Sequence, residues 1–432
     1  MTQLPSIDFL YQLFKQHPQV QTDTRKLQAG DLYFALKGPN FNGNLFAEKA
    51  LAAGASFAII DEPIEIDKKW DAQIFIVADC LTCLQALAKH HRTQFNIPFI
   101  GITGSNGKTT TKELVTAVLS SYFITYTTQG NLNNHIGVPL TLLSIQADAQ
   151  MAVIEMGANH LKEIESYCEY AMPNFGLITN CGKAHLEGFG SEAGVKKAKG
   201  ELYDYLRTHN GAAFVMGDYD YLVQMSAGIQ HVITYGTQTG TVQGIAKSNK
   251  GMLAVEMTSG FPAMTIQTQL VGDYNLPNVL AAVTIGVYFN IPADKIKRAL
   301  ENYAPSNSRS QLIRWNENDI ILDAYNANPS SMKLAVENFA NLAAPHKILF
   351  LGGMKELGTS SVQEHQQLID FIDQHKWEQV VLVGGDFNAC THSYLYFEDA
   401  QAAKKWLLQQ TFKGYSFLIK GSRGIQMEQL IS

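Results

Sequence analysis

The stretch Gly101-Ile-Thr-Gly-Ser-Asn-Gly-Lys-Thr-Thr-Thr111 carries the residue types that bind a polyphosphate, in a workable order. Gly104 and Gly107 can take positive φ and turn backbone N–H groups toward phosphate oxygens. Lys108 can reach β- and γ-phosphates, and Thr109 can hold Mg²⁺. The apolar run Pro98-Phe-Ile-Gly-Ile102 precedes the loop as a strand. Lys112 to Ser120, with Leu114, Val115, Val118 and Leu119, follows as a helix whose N-terminus adds partial positive charge at the same point. The ligand indicated is a nucleoside triphosphate, ATP ahead of GTP. The spacing is short for such a loop: Gly104 stands three residues before Gly107, and Ile102 occupies the place of the usual first glycine. A glycine-rich turn in some other α/β protein is the alternative.

Other groups that can do chemistry stand where strands end. Ala152-Val-Ile-Glu155 closes an apolar run with a carboxylate that can bind the Mg²⁺ of a nucleotide, or cap the next helix. Asn180-Cys-Gly-Lys-Ala-His-Leu-Glu-Gly-Phe-Gly190 follows another apolar run and puts His185 and Glu187 in a loop; His185 reads equally as structural or functional. Thr128 to Thr141 is rich in amides and glycine, a weak pointer to a polar ligand. Lys199, in Lys196-Lys-Ala-Lys-Gly-Glu201, reads from composition alone as part of a solvated helix face. Asn275 or Asn278 can cap a helix or hydrogen-bond a base. Arg309, in Ser306-Asn-Ser-Arg309, can reach a phosphate. Asp323, at the end of Ile320-Ile-Leu322, can accept hydrogen bonds from a ribose.

The elements that must position these residues alternate between strand and helix. Strands are predicted at 32–36, 56–60, 98–102, 151–155, 175–179, 212–216, 320–322, 347–351, 380–383 and 416–419, with short β-rich pieces in 240–271. Helices are predicted at 46–53, 81–91, 109–120, 159–168, 192–207, 278–289 and 292–302. Such alternation makes parallel sheets whose ligands sit beyond the carboxyl ends of the strands. The fold class expected is α/β in three domains. A small N-terminal α/β domain covers 1–95, a central P-loop-type, mostly parallel sheet with helices on both faces covers 96–310, and a C-terminal Rossmann-like domain covers 311–432. No Gly-x-Gly-x-x-Gly follows any strand, so a dinucleotide fingerprint is absent.

Composition narrows the class. At 432 residues, 46% hydrophobic and 17% charged, the chain reads as a globular protein of several domains. A net charge of −6 argues against nucleic acid as the main partner. No apolar run approaches a membrane span, and no signal peptide is evident. Five cysteines point to a reducing cytoplasm rather than a disulfide framework. The lone Cys80-x-x-Cys83 lacks a second pair for a metal site and reads as structural.

Taken together, the motifs resemble the Mur ligases, ATP-dependent amide-forming enzymes of peptidoglycan synthesis, over nearly the whole chain. Gly104-Ser-Asn-Gly-Lys-Thr109 is similar to the family's short ATP loop. Gly130-Asn-Leu-Asn-Asn134, Glu155-Met-Gly157, Ala184-His-Leu-Glu-Gly-Phe-Gly190 and Ala198-Lys-Gly-Glu201 stand in the family's order. Asp323-Ala-Tyr-Asn-Ala-Asn-Pro-Ser-Ser-Met332 and Lys420-Gly-Ser-Arg423 resemble the branch that adds D-alanyl-D-alanine to UDP-N-acetylmuramoyl-tripeptide. Asp23-Thr-Arg-Lys26 and Gly30-Asp-Leu-Tyr-Phe34 resemble the part that holds the UDP end of that substrate.

The resemblance implies roles. Lys108, His185 and Lys199 would be catalytic, with Lys199 carbamylated into a carboxylate-like group. Thr109, Glu155, His185 and Lys199 would serve two Mg²⁺ ions. Gly104, Ser105, Asn106, Gly107, Lys108, Thr109 and Thr110 would hold ATP phosphates, with Asn275, Asn278, Arg309 and Asp323 contacting the rest of the nucleotide. Thr24 and Arg25, Asn133 and Asn134, then Tyr325, Asn326 and Asn328, and finally Lys420, Ser422 and Arg423 would touch substrate. The chain departs from the family pattern in Thr24 for serine, in Gly353 where aspartate is common, and in lacking a glycine before Arg309. The implied protein is a cytoplasmic monomer acting through an acyl phosphate, its last domain closing on the ATP domain. Another superfamily ligase, such as a Mur sibling or a folylpolyglutamate synthase, and a nucleotide-dependent binding switch remain as alternatives. The third residue of the acceptor peptide, lysine or diaminopimelate, is not legible.

Overall fold

The computed structural model describes residues 4–249, 251–305 and 308–432; Ser306 and Asn307 of the Ser306–Arg309 motif lie outside the described residues. Two compact units emerge. One comprises Met1–Gly101, Ile124–Gly157 and Glu163–Phe175, the other Ile102–Phe123, Ala158–Lys162 and Gly176–Ser432.

The first unit contains a four-stranded parallel sheet in the order Val20–Gln21, Leu32–Phe34, Phe57–Ile60, Ile74–Ile76. Its outer strands escape the sequence pattern because two- or three-residue edge strands have no periodicity to read, while helix Ile7–Gln16, capped by Ser6, is an element the expected helices do not include. Helix Cys80–Arg92 starts on Asp79, whose carboxylate accepts from the Thr82 N–H at 2.6 Å. Its cysteines are buried, and burial pushes the Cys83 thiol up to about 12. Its end is pinned by Arg92, which donates to the carbonyls of Ala171 and Met172 and lies 3.6 Å from the Phe99 ring centroid. Strand Met151–Glu155, buried throughout, pairs in parallel with Thr125–Thr127.

The second unit contains two sheets. In one, Ala212–Met216, His231–Gly236 and Val242–Asn249 pair in parallel. Val242–Asn249, Met252–Ser259 and Thr265–Val271 then form an antiparallel meander. The meander falls in the 240–271 stretch expected to hold short β-rich pieces, and its antiparallel edge agrees with a sheet that is mostly, not wholly, parallel, since these connections are too short to carry a crossover helix. The C-terminal sheet runs Gln311–Trp315, Asn318–Asp323, Ser416–Lys420, Lys347–Gly352, Gln379–Val383, Leu395–Phe397, parallel except for its first pair. Leu349, Leu351, Leu382 and Leu418 pack on the side of helices Pro329–Asn341 and Ser361–Ile372. Their alternates Ile348, Phe350, Val381 and Phe417 pack on the side of Ala400–Leu407. Burial on both faces explains why these strands read as continuous apolar runs.

The helix expected at 159–168 forms instead at Glu163–Ala171. Lys162 sits at φ +71° and gives its N–H to the Glu201 carboxylate at 2.7 Å, a long-range contact that delays the helix start. Among the described residues no helix is long and apolar enough to cross a membrane.

Candidate active site

The loop after strand Phe99–Thr103 has the expected backbone. Gly104 lies at φ +142°, and Gly107, at φ +78°, precedes helix Lys108–Ser120. The Lys108 ammonium folds back onto the carbonyls of Gly104 at 2.6 Å and Ser105 at 3.1 Å. Thr109 is buried, and Thr110 is half-buried beside it. The loop is braced by the end of strand Phe175–Ile178. Asn180 accepts from Asn106 N–H and donates to Asn106 O, both at 3.1 Å, and Thr179 donates to the same carbonyl at 2.6 Å. The Ser105 hydroxyl donates to Gly182 O at 2.8 Å. Thr179 and Asn180 were not expected as site residues, although Asn180 opens a motif that the sequence placed at a strand end.

Asn278 and Asn275 do not cap their helix through their side chains. Asn278 Oδ1 accepts from the Thr111 hydroxyl at 3.0 Å and its amide donates to Asn275 Oδ1 at 2.9 Å, while Asn275 donates to Val271 O at 2.9 Å. Both are buried, and together they fasten the loop's helix to helix Leu276–Tyr288.

Lys199 is fully buried, so the solvated-face expectation is overturned. Its Nζ donates to Ala158 O at 3.1 Å and stands 5.0 Å from the Phe189 ring centroid. Phe189 and the neighbouring turn cover a helix face whose composition alone reads as wet. His185, at φ +51°, begins the short helix Leu186–Phe189 and pairs through Nδ1 with Glu356 Oε2 at 2.5 Å. That contact holds the Glu356 carboxyl below the ordinary glutamate value. The Glu187 N–H donates to Glu356 O at 3.3 Å.

Around this pair the second unit brings residues from before and after position 311 together. Lys183 Nζ meets Glu364 at 2.7 Å, and Lys183 N–H donates to Ser330 Oγ at 3.1 Å. Asn328 caps helix Pro329–Asn341 by accepting from Ser331 N–H, and its amide donates to Asn106 Oδ1 at 2.7 Å. Glu356 and Glu364, and Lys183 and Ser330 inside motifs read for other residues, were not expected as site residues, because each acts through a partner more than 140 residues away.

The remaining candidates cluster at the carboxyl ends of the C-terminal strands. Asp323 Oδ2 takes the buried Lys420 ammonium at 2.5 Å, and Lys420 also reaches Asn326 O. The Ser422 hydroxyl accepts from Lys355 N–H at 3.0 Å. Arg309 stacks 3.6 Å from the Tyr325 ring centroid, and Arg423 lies 5.0 Å from it. Gly353, where the family commonly has aspartate, has no room for a side chain: a Cβ would stand 2.5 Å from Gly385 Cα.

In the first unit, Glu155 is buried at its strand end. Its Oε1 accepts from the Asn133 amide at 2.7 Å, and its N–H donates to the Thr128 hydroxyl at 2.9 Å. Asn134 Oδ1 accepts from the N–H of Gly137, the first residue of helix Gly137–Leu143, at 2.8 Å. Thr24 is half-buried in a turn. Exposed Arg25 pairs with Asp23 and holds that carboxyl down to about 2.

Three family models match the chain: Mur ligase family, catalytic domain, over 18–92; Mur ligase middle domain over 102–286; and Mur ligase, glutamate ligase domain, over 308–423. The UDP-N-acetylmuramoyl-tripeptide–D-alanyl-D-alanine ligase of Bacillus subtilis is 35% identical across 95% of this chain and 92% of its own. The Escherichia coli enzyme of the same name is 36% identical with the same coverage. A crystal structure of MurF from Acinetobacter baumannii superposes with a TM-score of 0.86 at 29% identity, covering 97% of this chain and 96% of the other. Its α/β, three-domain architecture is shared here. On its motifs, its fold and these likenesses, the chain belongs to the Mur ligase family.

Proposed function

We propose that this protein is an ATP-dependent ligase that joins D-alanyl-D-alanine to UDP-N-acetylmuramoyl-tripeptide in peptidoglycan precursor synthesis. The observation that carries this reading is identity of 35% over 95% of the chain to an enzyme of that name, together with an intact phosphate loop ending in Lys108. The domain limits we assign are 1–95 for the UDP end, 96–310 for ATP and 311–432 for the incoming dipeptide. The protein acts as a cytoplasmic monomer.

The peptide carboxylate attacks the γ-phosphorus of ATP, the bond to the bridging oxygen breaks, and ADP leaves. Lys108 and the loop N–H groups stabilise the charge that develops on the phosphate oxygens. The dipeptide amine then attacks the acyl carbon. The tetrahedral species expels inorganic phosphate and the amine proton is lost. Closure of the last domain excludes water, which would otherwise hydrolyse the acyl phosphate. Tyr325, Asn326, Asn328, Lys420, Ser422 and Arg423 orient the peptide and dipeptide, while Thr24, Arg25, Asn133 and Asn134 contact the UDP-peptide substrate.

Mg²⁺ takes hard oxygen ligands, and Glu155 in the first unit and Thr109 in the second each offer one on a buried residue. Two ions would be held by Thr109, Glu155, His185 and Lys199, and when bound they supply charge neutralisation of the phosphates. Full burial of Lys199 supports its carbamylation: an ammonium is costly to bury, whereas a carbamate would have cations to face.

Phosphate release from ATP, measured with the lysine- or diaminopimelate-containing UDP-tripeptide and with or without D-alanyl-D-alanine, tests the reading. Release should require both substrates and give the pentapeptide mass. Turnover with a free amino acid in place of the dipeptide, or nucleotide hydrolysis indifferent to both substrates, would overturn it.

A further inference from the structure

Arg309 lies in the connection to the C-terminal sheet, between Ser308 at φ +55° and Ser310 at φ +48°. Residues with a Cβ seldom adopt this conformation, so surrounding contacts must hold it. Ser310 Oγ shares a 2.8 Å hydrogen bond with the Tyr274 hydroxyl, and Ser310 N–H points at Asp323 Oδ1, 3.4 Å away. Asp323 is itself fixed by Lys420. In this frame the Arg309 guanidinium carbon rests 3.6 Å from the Tyr325 ring centroid. Arg309 Nε is buried with no hydrogen-bond partner, and no carboxylate pairs with this arginine among the described residues.

Strand register explains why a second arginine meets the same ring. Asp323 and Lys420 are partners in the parallel pairing of Asn318–Asp323 with Ser416–Lys420. Tyr325 lies just beyond the first strand and Arg423 just beyond the second, 5.0 Å from the ring centroid. Two cations over one ring, with no carboxylate on either, repel each other until an anion arrives. A guanidinium already set by stacking loses little freedom when it grips an oxyanion, and an unpaired buried N–H is relieved by an acceptor oxygen.

We propose that Tyr325 is a positioning residue of the ligase reaction: its aromatic face holds Arg309 so that the guanidinium N–H groups meet a phosphoryl oxygen. This rests on the reading of Arg309 as a nucleotide-phosphate ligand. The ring, not the hydroxyl, is what matters, since the Tyr325 hydroxyl makes no hydrogen bond among the described residues.

The test is steady-state ligation by the full chain, with kcat and the KM for ATP measured for Tyr325→Leu, Tyr325→Phe, Arg309→Ala and the double variant Tyr325→Leu/Arg309→Ala, and folding checked by Tm. Loss of one cation–π contact corresponds to a fall of about 2- to 30-fold in kcat/KM for ATP in Tyr325→Leu. Tyr325→Phe should recover most of that loss. Adding Tyr325→Leu to Arg309→Ala should cost little more, because the group being positioned is gone. A fully additive double variant, or a Phe variant as impaired as Leu, overturns the positioning role. If Arg309→Ala is impaired while Tyr325→Leu is normal, only the positioning role fails. If Arg309→Ala itself is normal, the phosphate reading fails and the positioning role with it.

Discussion

Replacing Gly104 with alanine tests whether the phosphate loop works through its backbone. Gly104 sits at φ +142°, and an added Cβ would lie 1.9 Å from Thr179 Oγ1, 3.0 Å from Thr179 N and 3.1 Å from Asn180 N. Holding a residue with a Cβ at such a φ costs about 1–3 kcal/mol. The overlap costs about another 1–3 kcal/mol unless the Thr179 side chain turns away. Turning away would break its 2.6 Å bond to Asn106 O, worth about 1 kcal/mol. The total of about 2–6 kcal/mol can appear as lost stability, as a reshaped loop, or as both. If the loop absorbs even 2 kcal/mol, the KM for ATP rises about 30-fold. The assay is ATP-dependent phosphate release, with Tm alongside, for Gly104→Ala, Thr179→Ala and the pair combined. Removing the Thr179 hydroxyl relieves the closest contact but not the φ strain. The double variant should therefore be less impaired than the sum of the singles by about 1–3 kcal/mol. A Gly104→Ala protein with parental KM and Tm would refute the reasoning outright, and strict additivity would place the whole cost in the backbone.

Lys108→Ala should abolish ligation with Tm lowered by no more than a few degrees, since the Lys108 ammonium donates to carbonyls of its own loop; near-normal turnover in a folded variant would sink the ATP-site assignment. Lys199→Ala should be severely impaired yet partly restored by added short carboxylic acids, which can fill the space of a fully buried side chain and supply the anion; an active variant indifferent to acids would argue against the carbamate. His185 holds the Glu356 carboxyl below its usual value, so the stability it contributes is complete above about pH 4.5 and is lost as pH falls through the lowered value. The Tm difference between the parent and Glu356→Gln should accordingly shrink toward zero as pH falls below about 4.5; a difference that instead grows on acidification through that range would show the sign to be wrong.

Local conformational demands were legible from the chain. Gly104 and Gly107 can be read because only residues without a Cβ take those φ values cheaply, and Lys108 because it falls at the strand-to-helix junction. The C-terminal strands could be read because burial on both faces leaves nearly unbroken apolar runs, and Glu155 and Asp323 stand out as the polar residues that end them. The short edge strands and the delayed start of helix Glu163–Ala171 could not, because each depends on a neighbour beyond its own local stretch, whereas the meander, built from local hairpins, shows in the sequence only as short β-rich pieces in 240–271.

What the sequence by itself determined was the class of chemistry: a phosphate loop, strand-end carboxylates and a family's motifs in order. Tertiary structure decided how those groups are used. It buried Lys199 beneath Phe189, turned Asn278 inward onto Thr111 with Asn275 behind it, stacked Arg309 and Arg423 on Tyr325, and joined Asn106 to Asn328. A side chain's type sets what bonds it can make, but its partners are set by strand register and helix docking, which no local stretch of sequence contains.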